Sequence, residues 1–213
     1  MSEEEIRTAI QKREYRIRFT EPMLGTVAMD PEIYKTYIEA KKEKRKDSAY
    51  APGADDEAAT VEKREEKGWT GFHRLNPDDQ DSPMFVYDYF VKGFLKGSGN
   101  VLKDIVKVKQ LKSKLDDFVF VFPRRILLGT GKPDGVLERP LRAMTMQGPR
   151  VTLARSDYVK EGTEITFQIH LFPHPALSWK LIDALMAHGQ YMGMGQFRNG
   201  SYGRFEVVDV KEC

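Results

Sequence analysis

Cysteine is almost missing from this sequence. Cys213 is the only one among 213 residues, which excludes a disulfide framework within the chain and a metal site built on paired thiolates. No run approaches the ~18 apolar residues a membrane span needs. The opening stretch MSEEEIRTAIQKREYR is charged and carries no apolar h-region, so a soluble, cytoplasmic protein of a reducing compartment is expected, with no membrane partner. A surplus of one charge is lacking too: 34 basic residues face 32 acidic ones, a net of +2, and net charge alone announces no polyanion binder. The glycine-dense stretch GMGQFRNGSYGRFEV, 193–207, lacks the Lys-Ser/Thr of a P-loop and follows a predicted helix instead of opening one. Nucleotide hydrolysis by that route is disfavoured. No internal repeat is visible, and no cofactor or metal is expected.

The charge that is present is unevenly placed. Residues 121–160 hold eight basic and three acidic side chains, whereas 161–213 hold four and six. The first of these is a candidate electrostatic footprint. Alternation identifies a strand at YRIRFTE, with Tyr15, Ile17 and Phe19 on one side and a basic outer face of Arg16 and Arg18. A helix opening at Asp30-Pro31 is expected next, then a polar exposed lid over 47–67. MFVYDYFVKGFLKGSGNVLKDI reads as a strand that gives way near Gly93 to a helix bearing Leu95, Val101, Leu102 and Ile105. FVFVFP at 118–123, aromatic and β-branched, suits a strand covered on both faces at the centre of a sheet. TEITFQIHLF alternates as a strand, LSWKLIDALMAHG carries helical spacing stopped by Gly189, and RFEVVDV closes the pattern as a last strand.

The order strand, helix, strand, strand, helix, strand belongs to the α+β class. It is the ferredoxin-like (RRM-like) pattern, one antiparallel sheet with two packed helices. A single domain over 1–213 is expected, with an insertion or lid at 31–83 after the first strand and a projecting basic β-hairpin at 124–160.

A loop with several glycines lets backbone amides approach a phosphate, and Arg198 and Arg204 flank aromatic Tyr202, with Phe197 alongside. These are the ingredients of single-strand binding. A tight helix-to-strand connection accounts for the glycines equally well. The segment GQYMGMGQFRNGSYGRFEV resembles the C-terminal end of the RAMP superfamily, the RRM-like subunits of CRISPR ribonucleoproteins, whose glycine-rich loop precedes the last strand. VKGFLKGSGNVL is similar to the Gly-Ser-Ser-Leu-Lys-Gly segment that begins their first helix, but reads GFLKGSG. The resemblance covers roughly 14–30, 84–123 and 161–210. It implies a single-domain backbone-type subunit, or a mobile-element-encoded relative, that binds single-stranded or guide RNA through the loop after the first strand (21–30) and a thumb-like hairpin (126–156). Other RAMP or CRISPR effector subunits, or copies of itself, would be its protein partners.

The RNA-binding residues expected on these grounds are Lys92, Lys96, Arg124, Arg125, Arg139, Arg142, Arg150, Gly193, Gly195, Arg198, Asn199, Tyr202 and Arg204. No catalytic residue is assigned. His73, His170, His174 and His188 read as surface or capping histidines, Asp30 as a helix cap, and Asp116 and Asp117 as neighbours on a strand pointing to opposite faces. The rival readings are a phage-encoded protein that binds or imitates CRISPR machinery and, third, an endoribonuclease using His188 or Asp30.

Overall fold

The computed structural model describes residues 9–29, 69–145 and 148–213, with backbone only at 141–145 and 148–152. The helix expected at Asp30 and the lid at 47–67 lie outside the described residues.

Its centre is a four-stranded sheet. β1 (Gln11–Phe19) is flanked by β12 (Phe205–Glu212) and β11 (Glu164–Leu171), and β7 (Val119–Phe122) lies beyond β11. Every pairing is antiparallel. The alternation in sequence produces one apolar face: Tyr15, Ile17, Phe19, Ile165, Phe167, Ile169, Val119, Val121 and Phe205 are buried. Against it pack α1 (Tyr89–Val106) through Val91, Phe94 and Leu95, and α3 (Trp179–Ala187) through Ile182, Leu185 and Met186. Asp88 caps α1 by accepting from the Tyr89 amide, and Ser178 caps α3 by accepting from Leu181. A third helix, α2 (Leu111–Phe118), rests on α1 where Gly99 leaves room: a Cβ there would stand 2.6 Å from Leu115 Cδ1.

Two smaller sheets surround this core. β2 (Met23–Leu24), β3 (Val27–Ala28) and β4 (Trp69–Gly71) join the long hairpin of β9 (Gly135–Thr145) and β10 (Gly148–Val159). In this sheet β4 runs parallel to β10. β5 (His73–Arg74), β6 (Met84–Tyr87) and β8 (Arg125–Leu127) form the other.

The α+β class is as expected, and five placements differ from the sequence reading. β7 is an edge strand with one buried face, because its aromatic residues point outward: Phe120 and Phe122 are 39% and 45% exposed. α1 starts at Tyr89 and runs through Gly93, since the cap at Asp88 outweighs the weak helix propensity of one glycine. Its outer positions are Val101 and Ile105, both exposed, so only Leu95 and Leu102 of the expected stripe turn inward. Arg125 opens β8 of the small sheet and Arg124 precedes it, its carbonyl accepting from the Asp88 amide, so neither lies in the hairpin. Asp116 and Asp117 end α2 instead of entering a strand.

Candidate nucleic-acid interface

From α3 the chain passes through a short 3-10 turn, His188–Gln190, and crosses back to β12 as the glycine loop. Its shape is set by internal bonds. The Gly203 amide donates to Pro22 O and the Met194 amide to Gly203 O, both at 2.9 Å, while the Thr20 amide donates to Arg204 O. The loop is thereby laid on the turn that follows β1. Gly193 and Gly195 serve this packing: a Cβ at Gly193 would meet Tyr202 O at 2.1 Å, and one at Gly195 would meet Leu24 O at 3.0 Å. Phe197 and Ser201 take left-handed backbone (φ 55° and 71°), a conformation that costs a side-chain-bearing residue ~1–2 kcal/mol.

That strain presents two aromatic rings side by side. Phe197 stacks on Tyr202 with centroids 5.7 Å apart and planes 29° apart. The guanidinium of Arg139, carried on β9, lies 4.3 Å over the Phe197 ring. Its Nε and Nη1 are buried with no hydrogen-bond partner among the described residues, as is Nε of Arg204. Burial lowers the pKa of Arg139, with Tyr202 opposing, yet a guanidinium stays charged at any physiological pH. Loop and hairpin thus bring together a cation with unused donors and a stacked aromatic pair.

A polar clasp fixes the loop to the hairpin sheet. Oε1 of Gln196 lies 2.9 Å from Thr70 Oγ1 and 3.0 Å from Ser156 Oγ, with the two hydroxyls themselves 2.9 Å apart. Beside it, Trp69 Nε1 donates to Oδ1 of the buried Asp157 at 2.8 Å, and the Gly25 amide donates to the Asp157 carbonyl. Desolvation raises the pKa of this carboxyl, offset in part by the Trp69 bond and by Arg74. An acid whose pKa is raised by folding stabilises the fold most below its unfolded value of ~3.9 and loses that contribution as pH rises through the folded value. Asp157→Asn keeps an acceptor for Trp69, so its stability relative to wild type should be more favourable at pH 7 than at pH 4. Urea unfolding at both values checks this; a difference independent of pH would contradict it.

The other expected residues are placed as follows. Arg198 and Asn199 are exposed in the turn Arg198–Gly200, and Arg198 Nη1 reaches to 3.8 Å from where a Cβ would stand at Gly97 of α1. The two glycine-bearing motifs are therefore neighbours. Lys92 and Lys96 are engaged within the protein: Lys92 donates to the carbonyls of Asp116 and Val119, and Lys96 pairs with Asp116 at 3.1 Å. Burial lowers the pKa of Lys92. Arg124 pairs with Asp88 at 2.8 Å, and Arg125 lies over Phe85 at 5.2 Å. Arg142 and Arg150 sit in the distal part of the hairpin, where Arg150 pairs with Ala143 and Val151 with Arg142.

The outer face of β1 is not freely basic. Arg16 and Arg18 pair with Glu164 of β11 and with Asp209 and Glu206 of β12. On this face of the sheet, among the described residues, the open rings lie at the β7 margin, Phe120 and Phe122, with His170 against Phe122 at 4.4 Å. His188 Nδ1 is held 2.9 Å from the buried Ser98 hydroxyl, and burial lowers its pKa. His174 Nδ1 accepts from the Ala176 amide. Sequence reasoning missed Gln196, Thr70 and Ser156, because ordinary polar residues carry no motif. Among the described residues, no helix is long and apolar enough to cross a membrane.

No family model and no curated protein matches the chain. Among solved structures, it is similar to a chain in the cryo-EM structure of the type III-B Cmr-β bound to cognate target RNA, with a TM-score of 0.50 and 10% identity. The likeness covers 97% of this chain but spans 61% of that one. At this identity what is shared is the fold.

Proposed function

We propose that this protein is a ferredoxin-like (RRM-like), RAMP-like subunit that binds single-stranded or guide RNA within a CRISPR-type ribonucleoprotein, without catalysis of its own. The observation that carries the reading is Arg139: a guanidinium stacked on Phe197 with two buried N–H-bearing nitrogens that have no acceptor among the described residues. Buried donors without partners are costly, and a phosphate oxygen is an acceptor that fits a guanidinium fork. The neighbouring pair of Phe197 and Tyr202 offers a surface on which a base of the same strand stacks. Supporting this, the fold resembles that of a chain of the type III-B Cmr-β bound to cognate target RNA. The ion-paired sheet face argues that the strand follows the loop and hairpin and not the middle of the sheet.

The test is the affinity of the whole protein for unstructured single-stranded RNA across a salt titration. Arg139→Gln, with folding checked by circular dichroism, should weaken binding about tenfold and flatten the logarithmic salt slope by ~0.7, as loss of one phosphate contact on a single strand does. Equal affinity and slope in wild type and variant would refute the role of Arg139. A second reading, an interaction protein that binds or imitates CRISPR proteins, draws on the exposed Phe120 and Phe122 of edge strand β7. It is favoured if wild type binds no RNA but captures a CRISPR subunit.

A further inference from the structure

A second group of rings lies away from the glycine loop. On the β5–β6–β8 sheet and the first turn of α1, His73 stacks on Phe85 (5.4 Å, 17°), Tyr87 on Tyr89 (5.3 Å, 23°) and Tyr89 on Phe90 (5.2 Å, 27°). Guanidinium groups lie on this ladder, Arg125 over Phe85 at 5.2 Å and Arg124 over Tyr87 and Tyr89 at 5.2 and 6.0 Å. Core packing does not account for its outer end: Tyr89 is 50% exposed, and the Arg124 side chain is 70% exposed.

We infer that this ladder is a base-stacking site for an unstacked nucleobase of a single strand, with Arg125 taking the adjoining phosphate. The inference rests on the single-strand-binding reading above. The chemistry selects this occupant. A flat, sequence-tolerant π-surface is what an unpaired base uses, and cations lying on the rings supply the charge its backbone needs. Within the patch, the carboxylate of Asp88 is already engaged by Arg124 and by the Tyr89 amide. Arg125 has no carboxylate partner among the described residues, and its charge helps to keep the adjacent His73 imidazole neutral, after the larger effect of burial. Geometry connects the two sites: Tyr89 opens α1, and Gly97, eight residues on, is where Arg198 of the glycine loop approaches. Eight residues of helix span ~12 Å, and one strand of the ~4–16 nucleotides that a binding groove takes would touch both.

The experiment uses the full chain and a single-stranded RNA oligonucleotide carrying 2-aminopurine at successive positions, whose fluorescence quenches on stacking. Tyr89→Ala should weaken affinity by roughly tenfold and abolish quenching at one position while leaving the salt slope unchanged; Tyr89→Phe should restore both. Arg125→Gln should flatten the slope by ~0.7 and keep the quenching. If wild type binds the RNA and Arg139→Gln weakens it, but Tyr89→Ala and Arg125→Gln match wild type, the ladder inference is overturned and the function stands. If wild type binds no RNA, both fall.

Discussion

Gly203→Ala should cost the protein on the order of 4 kcal/mol, enough to lower its melting temperature by roughly 10 °C. Gly203 has φ +70°, and a Cβ there would stand 1.9 Å from Met194 O. The left-handed backbone costs alanine ~1–2 kcal/mol, and relieving the clash forces a backbone shift of the kind that costs ~1–3 kcal/mol in a packed site. The shift also disturbs the Gly203 bonds to Pro22 and Met194, the bonds that lay the loop on the turn after β1. Gly129 provides the control. Its φ is +73°, but no atom of the described residues lies within 4 Å of its added Cβ, so Gly129→Ala should cost only the conformational ~1–2 kcal/mol. Thermal or urea unfolding of the two variants separates strain from space. Equal losses would mean that the close approach of Met194 is not what demands a glycine here.

The same loop shows what a sequence reveals and what it withholds. The strands β1 and β11 and the helix α3 were legible because burial is periodic along each: Tyr15, Ile17 and Phe19 alternate with charged neighbours, and Leu181, Ile182, Leu185 and Met186 recur at helical spacing. β7 was misplaced because its sequence is apolar at every position, and apolarity does not distinguish a covered strand from an edge strand that shows its aromatics to solvent. β2 to β5 are two or three residues long, shorter than any period. The basic side chains were legible as charges but not as free charges. Lys92, Lys96, Arg16 and Arg18 found partners on other elements, and Arg139 found an aromatic face on the glycine loop, relations that only the tertiary fold creates.

Phe205→Ala should destabilise the protein by ~3–5 kcal/mol, and Gly189 should decide how much of that loss is recoverable. Phe205 is fully buried at the exit of the glycine loop, edge-on to Phe94 at 4.8 Å and to Phe19 at 6.5 Å, so its removal opens a cavity between β12, β1 and α1. Gly189, in the turn after α3, abuts the same ring: a Cβ there would stand 2.4 Å from Phe205 Cε2. In wild type, Gly189→Ala therefore overpacks the core, at about 1–3 kcal/mol. With Phe205→Ala the obstruction is gone and the methyl enters the vacated space, so the same substitution should become nearly neutral. The two changes are then coupled by more than ~1 kcal/mol, where independent sites add to within ~0.5 kcal/mol. A double-mutant cycle in urea measures this coupling, and additivity would show that Gly189 is small for some reason other than the Phe205 ring. The functional consequence follows from sequence order: Phe205 anchors the strand directly after Arg204. On the proposed single-strand-binding reading, loosening it should weaken RNA affinity in the single Phe205→Ala variant, and the double variant should recover affinity in proportion to stability.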